Sequence, residues 1–299
     1  MGKLVTFPPE KHADGKQMTR GGIKTEMDRE ILARILVENV ARWIDDPDRD
    51  EIQNMDLPRG PVKRLAVEEA EEMAKRGEGS FGHTTIIKPA DLELYESYMY
   101  PPLTMPDEPA VMVSYWDMNR ASPVNFMEGR VMVKAKCPDG IESWLVISVP
   151  VPNFYTAVEG NVWGWPKYVC DEMTVEHDRS EVIYEGNVRL SMDFTPGGVD
   201  EDTIQKLRDQ GTEGGNTISF HIKGGGMQLI RQGRGGPRNP ADTYFAEWEA
   251  GLVKTYFRPE DRHAGLIPEN CVTPGVWQRS IRLGGGGGAM YKVKSTPPK

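Results

Sequence analysis

Lys167 sits in the segment AVEGNVWGWPKYVCDE, residues 157–172, with Trp163 and Trp165 before it and Tyr168 after it. If the segment is extended, Trp163, Trp165 and Lys167 point to one side, because side chains along a strand alternate with a period of two. A lysine between tryptophans on a buried face is an expensive ammonium, and burial lowers a lysine pKa by disfavouring the charged form. The neutral amine this presents near neutrality is a nucleophile that attacks a ketone carbonyl to form a Schiff base. Taken alone, the spacing favours a plainer alternative, a surface lysine whose stem lies over aromatic rings.

The other reactive residue types are sparse. The five histidines show no metal-ligand spacing. His83 and His221 read as satisfied histidines on strands that can also line a pocket. Cys137, Cys170 and Cys271 are widely spaced and odd in number. They form neither a disulfide framework nor a zinc pair, and read as free thiols in a reducing compartment. Cys170 lies three residues past Lys167, but no histidine lies near it in sequence to activate it. Neither a metal nor an organic cofactor is implied.

The elements that must position Lys167 are mostly short strands. Gly and Pro are abundant, at 32 and 23 of 299 residues, which favours many turns over long helices. Period-two patterns cover AVMVSYW (110–116), RVMVKAK (130–136), SWLVISVPV (143–151) and VIYEGNVRLSM (182–192). They continue through TISFHIK, MQLIRQ, LVKTYF, WQRSIRL and AMYKVK. CPDG (137–140) has the composition of a hairpin turn, and KGGGM (223–227) reads as a hairpin connection. GGGGG (284–288) suits a flexible tip, and RQGRGGPRNP (231–240) a basic loop. Helical spacing runs from Thr25 to Ile44, with further helices expected over 62–76, 90–98 and 200–210, and a loop over 45–60. No βα alternation appears. The expected fold class is therefore α+β, mostly antiparallel sheet or barrel.

The net charge of −9 argues against a nucleic-acid groove or an anionic membrane surface as partner. It leaves a small anionic substrate open. The N-terminus lacks an apolar stretch of signal-peptide length, and no apolar run approaches a transmembrane helix. A cytoplasmic protein is expected.

VWGWPK (162–167) resembles the signature around the Schiff-base lysine of the acetoacetate decarboxylase superfamily, where an aromatic-Pro-Lys step follows a small residue. PPLTMPDEPAVMVSYWDM (101–118) resembles the family segment in which a Pro-Leu element leads through an Asp-Glu-Pro turn into a core strand. FMEGRVMVKA (126–135) resembles the segment that holds an active-site glutamate. Order and spacing of the three pieces match over about 70 residues. The resemblance implies a cone-shaped or open β-barrel over residues 76–299, with residues 1–75 as a helical extension outside the match. It implies Lys167 as nucleophile and Glu128 as the acid/base that moves protons at the Schiff base. Arg130, two residues on, shares Glu128's face by alternation and reads equally as a carboxylate clamp or as a surface arginine. Trp163, Trp165, Tyr168 and Tyr115 are expected to contact substrate. A homo-oligomer is implied as well.

The departures from the family pattern are specific. The lysine that follows the nucleophile in the family's decarboxylases is Tyr168 here. A second glutamate falls at Val113 or Ser114, a substrate-side arginine falls near Phe81, and a charged pair becomes Gly160 and Asn161. An iminium is an electron sink, so whether CO2 leaves, a proton leaves or an aldehyde adds depends on the groups beside it. The expected activity is a Schiff-base lyase acting on a small keto acid. An aldolase-dehydratase on pyruvate-like 2-keto acids is the first alternative, and a non-catalytic barrel binding a carbonyl or apolar ligand the second.

Overall fold

A computed structural model describes residues 42–43, 51–53, 65–120, 127–162, 164–210, 217–223, 226–232, 243–283 and 289–293. The helix expected over 62–76 is α1, Val67–Lys75, whose first turn is closed by Glu69 accepting the Ala66 N–H at 3.1 Å. Its acidic first turn and Lys75 in the last turn suit the helix dipole. Ala70 buries against Ile281 and Leu283. The expected helix from Thr25 to Ile44 lies outside the described residues, apart from helical Arg42 and Trp43. Asp91 caps α2, Leu92–Glu96, by accepting the Leu94 N–H at 2.9 Å.

Fourteen strands are described. The sheet runs β1 (Glu51–Gln53), β14 (Ala289–Lys292), β11 (Gly226–Gln232), β10 (Thr217–Lys223), β5 (Glu142–Val151), β4 (Met127–Lys136), β3 (Val111–Arg120), β2 (Gly79–Ile87), β13 (Cys271–Arg282), β12 (Thr243–Phe257), β9 (Asn187–Pro196), β8 (Arg179–Tyr184) and β7 (Glu172–Val175), with β6 (Lys167–Val169) on β5. All pairs are antiparallel except β5 with β10 and β5 with β6. The two ends do not meet, so the sheet is open, as the resemblance implied. Residues 51–53, read from sequence as loop, are a correction: Glu51, Ile52 and Gln53 pair with Tyr291, Met290 and Ala289. A three-residue strand made by an edge partner has too little pattern of its own to be seen. β2 also went unrecognised, because GSFGHTTII alternates poorly between apolar and polar residues.

The two faces of this sheet bury different things. On one, β7 lies across β2, β3 and β4. Between the layers sits the main core, with Val113, Tyr115, Val131, Val182, Met192, Phe194 and Val253. On the other face Met112, Met132, Val146, Val149 and Val151 pack with Ala157. Ala157 belongs to α3, Phe154–Val162, which covers that face. The helix α4, Glu201–Gln210, is capped by Asp200, which accepts the Thr203 N–H at 2.7 Å.

A bulge in β5 links these faces to Lys167. Val131 pairs with Ser148 but Met132 pairs with Val146, so one extra residue is inserted there. An inserted residue reverses the alternation beyond it. Val146 and Val149, three apart, therefore share a face. Lys167 pairs with Val149 and Tyr168 with Pro150.

Candidate active site

The segment before Lys167 is not extended, and this corrects the expectation that put Trp163, Trp165 and Lys167 in one alternating row. Residues 154–162 are helix α3, and only Lys167–Val169 is strand. Trp163 lies outside the described residues. The helix ends in a tight reversal. Gly164 adopts φ +75°, where a side chain is strained. A Cβ there would stand 2.4 Å from the Phe220 carbonyl oxygen. Its N–H donates to Asn161 O at 3.0 Å, and Trp165 N–H donates to Gly160 O at 3.0 Å. Asn161 Nδ2 donates to both Ala157 O, at 2.9 Å, and Lys167 O, at 3.1 Å. Asn161 thus ties the helix to the start of β6, a role the sequence reading did not assign.

Lys167 and Glu128 meet on the face covered by α3. Lys167 Nζ is 2.9 Å from Glu128 Oε2, and the two side chains are 5% and 1% exposed. Arg130 holds the other oxygen: its Nε and Nη2 both contact Glu128 Oε1. The indole of Trp165 lies beside both cations, its centroid 5.6 Å from Lys167 Nζ and 5.3 Å from Arg130 Cζ. One anion and two cations therefore share a site nearly closed to water. Burial pushes the Glu128 carboxyl up, but the Arg130 and Lys167 charges outweigh burial and hold it below the usual carboxylate range. Glu128 is thus a buried carboxylate that stays ionised at neutral pH.

Alternation separates the remaining candidates. Tyr115 faces the main core, where its hydroxyl donates to Leu190 O at 2.7 Å. Tyr168 turns the same way. It packs edge-on against Tyr184 and beneath the guanidinium of Arg189, whose Cζ is 4.5 Å from its centroid. Burial pushes the Tyr168 hydroxyl up to about 12. Both tyrosines lie across the sheet from Glu128, so the structure brings Lys167, Glu128, Arg130 and Trp165 together and sets Tyr115 and Tyr168 apart. His83 is fully buried on the Tyr115 side, between Ser180 Oγ and His177 O, each at 2.8 Å. Cys170 is buried, and burial pushes its thiol up to about 11, which leaves it a poor nucleophile. Among the described residues no cluster of metal-ligating side chains occurs, and no helix is long and apolar enough to cross a membrane.

Two contacts were not legible beforehand. Gly160 abuts the Lys167 side chain, and Ser114 stands directly opposite Arg130 in the β3–β4 register. Phe81, near which the missing arginine falls, packs at a tilt against Trp277 of the main core, away from Glu128.

No protein-family model matches the chain, and no curated protein shows significant sequence similarity to it. Solved structures do resemble it. Acetoacetate decarboxylase from Legionella pneumophila superposes with a TM-score of 0.51 at 13% identity, covering 72% of this chain and 84% of that one. A second acetoacetate decarboxylase gives 0.52 at 13% identity, over 72% and 85% of the two chains. The enduracididine biosynthesis enzyme MppR with pyruvate bound superposes less closely, at 0.49 and 14% identity over 72% and 90%. The fold is that of acetoacetate decarboxylase.

Proposed function

On that fold, we propose that the chain is a Schiff-base-forming lyase acting on a small keto acid, with Lys167 as nucleophile and Glu128 as acid/base. The observation that carries this reading is the buried ion pair of Lys167 Nζ and Glu128 Oε2, 2.9 Å apart, with Arg130 on the second carboxylate oxygen. A purely structural pair would more simply be apolar, because two buried ions recover their desolvation poorly. Arg130 shares the Glu128 charge and adds a second cation near the amine. A neighbouring cation and desolvation are the two devices that activate a lysine.

The chemistry follows from these positions. Glu128 takes one proton from the Lys167 ammonium, and Nζ adds to the keto carbon. The carbonyl oxygen leaves as water with two of the three ammonium hydrogens, one of them returned by Glu128, and the iminium remains. With a 3-keto acid the bond to the carboxylate breaks, CO2 leaves, and its electron pair moves into the iminium to give an enamine. A proton delivered through Glu128 quenches the carbon. Water then hydrolyses the iminium, releasing a ketone and the lysine. With a pyruvate-like acid a proton leaves instead, and the enamine adds to an aldehyde. The loss of the family's second glutamate, which falls at Val113 or Ser114, favours this second course.

Borohydride reduction in the presence of 2- and 3-keto acids tests the proposal. One adduct is expected, on Lys167, and none in Lys167→Ala. Trapped protein without turnover would favour a binding barrel. CO2 release from acetoacetate would separate decarboxylation from condensation, which is followed as enone absorbance with pyruvate and an aldehyde. Absence of any adduct overturns the assignment.

A further inference from the structure

The face that carries Glu128 and Lys167 remains polar well beyond them. In register, Glu128 lies opposite Trp116, Trp116 opposite Gly82, and Gly82 opposite Gln278, across β4, β3, β2 and β13. The next row runs Arg130, Ser114, Thr84. Ser114, Trp116, Thr84, Glu128 and Gln278 are each at most 2% exposed. At 4.7–4.9 Å per strand, the row from Glu128 to Gln278 extends roughly 14 Å. Gly82 contributes no side chain between Trp116 and Gln278, and a Cβ there would meet the Tyr115 carbonyl oxygen at 1.8 Å. The row passes from beneath α3 to the part of the sheet where Arg208 of α4 lies over Trp248, the partner of Gln278.

A buried sheet face is ordinarily apolar, as the same face is at Met112, Met132 and Val146. Here Ser114 Oγ, Trp116 Nε1 and Trp165 Nε1 are buried and have no hydrogen-bond partner among the described residues. Buried polar groups are nearly always satisfied, so such atoms call for an explanation. All three are hydrogen-bond donors, and an indole N–H can only donate. Three neutral donors beside a Schiff-base lysine match oxygen acceptors on a ligand. Lys167, Arg130 and Glu128 together carry one net positive charge, which one carboxylate balances. The neutral donors further along suit a hydroxyl or carbonyl oxygen better than a second anion.

We infer that the site continues along this row, and that the substrate is a keto acid with one carboxylate and a polar tail of hydroxyl or carbonyl oxygens, longer than pyruvate or acetoacetate. Ser114, Trp116 and Trp165 are its tail donors. The inference deepens the Schiff-base proposal and rests on it for the placement of the keto group.

Calorimetric binding to the full chain tests the row, using monocarboxylic keto acids of equal length with a hydroxylated tail or a plain alkyl tail. The hydroxylated acid should bind at least tenfold more tightly. Trp116→Phe, which keeps the ring and removes the N–H, should bring that ratio towards one, as should Ser114→Ala. Thermal melts confirm that each variant is folded. Equal or tighter binding of the alkyl acid overturns the inference, and so does a ratio unchanged in both variants. Binding of both acids to Lys167→Ala is measured in parallel. A tail preference there, with no reducible adduct on the wild-type lysine, would retain the row and sink the Schiff base. An adduct without any tail preference would do the reverse.

Discussion

Gly160 and Lys167 are packed so closely that a methyl group on the glycine would lie 2.1 Å from Lys167 Cδ and 2.3 Å from Cε. The glycine is the absent side chain that gives the lysine its path to Glu128. Gly160→Ala is therefore expected to expel the lysine from its channel. Displacing a reacting group by an ångström costs about 10²-fold in rate. Adduct formation under borohydride should slow by about that factor. Circular dichroism should show the fold retained, since alanine suits the α3 backbone better than glycine.

Glu128→Gln keeps the shape and removes the charge. The proton acceptor beside Nζ is lost, and turnover should fall by about 10²–10⁴. The Arg130 and Lys167 cations would lose their shared anion in a dry site, so urea denaturation should also show a loss of about 3–5 kcal/mol. Unchanged stability would mean that the ion pair is not buried as described.

Arg130→Met tests the electrostatics from the other side. Burial raises the Glu128 carboxyl, and the Arg130 charge is the largest influence opposing it. Removing the guanidinium moves the Glu128 titration upward. On the proposed mechanism Glu128 is ionised when it takes the lysine proton, so the acid limb of the pH–rate profile should shift to higher pH in the variant. A limb that stays in place would assign the acid/base role elsewhere.

His83 predicts a pH dependence of stability unrelated to catalysis. Burial lowers it from 6.5 to about 4. The folded chain keeps it neutral while the unfolded chain protonates it below 6.5. The unfolded state then binds more protons between pH 6.5 and 4, so stability is intact above pH 6.5, declines as the pH falls from 6.5 towards 4, and levels off below 4. A displacement of that size corresponds to about 3 kcal/mol at full protonation. Urea unfolding at pH 7, 5 and 4 should show the decline, and His83→Gln should flatten it by up to one proton. His263, also lowered by burial to about 4, adds a second proton in the same window.

Much of this site was legible where short-range pattern and physical cause coincide. Period-two runs located β3, β4 and β5, because alternate residues of each enter two different packed layers. Glu128 and Arg130, two apart on a strand, had to share a face, and they do. The reading failed where two periods compete. FYTAVEGNV is apolar enough for a strand, yet it is α3, and its helical state depends on covering the β5 end of the sheet. Tyr115 and Tyr168 were expected to contact substrate beside Lys167. Alternation across β3 and β6 sends them to the opposite core.

The sequence by itself determined an acidic, strand-rich chain with an aromatic-Pro-Lys step and a glutamate two residues before an arginine, since composition and period are local properties. Only the tertiary structure decided that these meet. The bulge in β5 turns Val149, and with it Lys167, onto the Glu128 face, and the left-handed turn at Gly164 feeds the lysine to that strand. Both act between segments far apart in the chain. What joins them is apolar burial between the packed layers, and the Lys167–Glu128 contact that results is one no single segment contains.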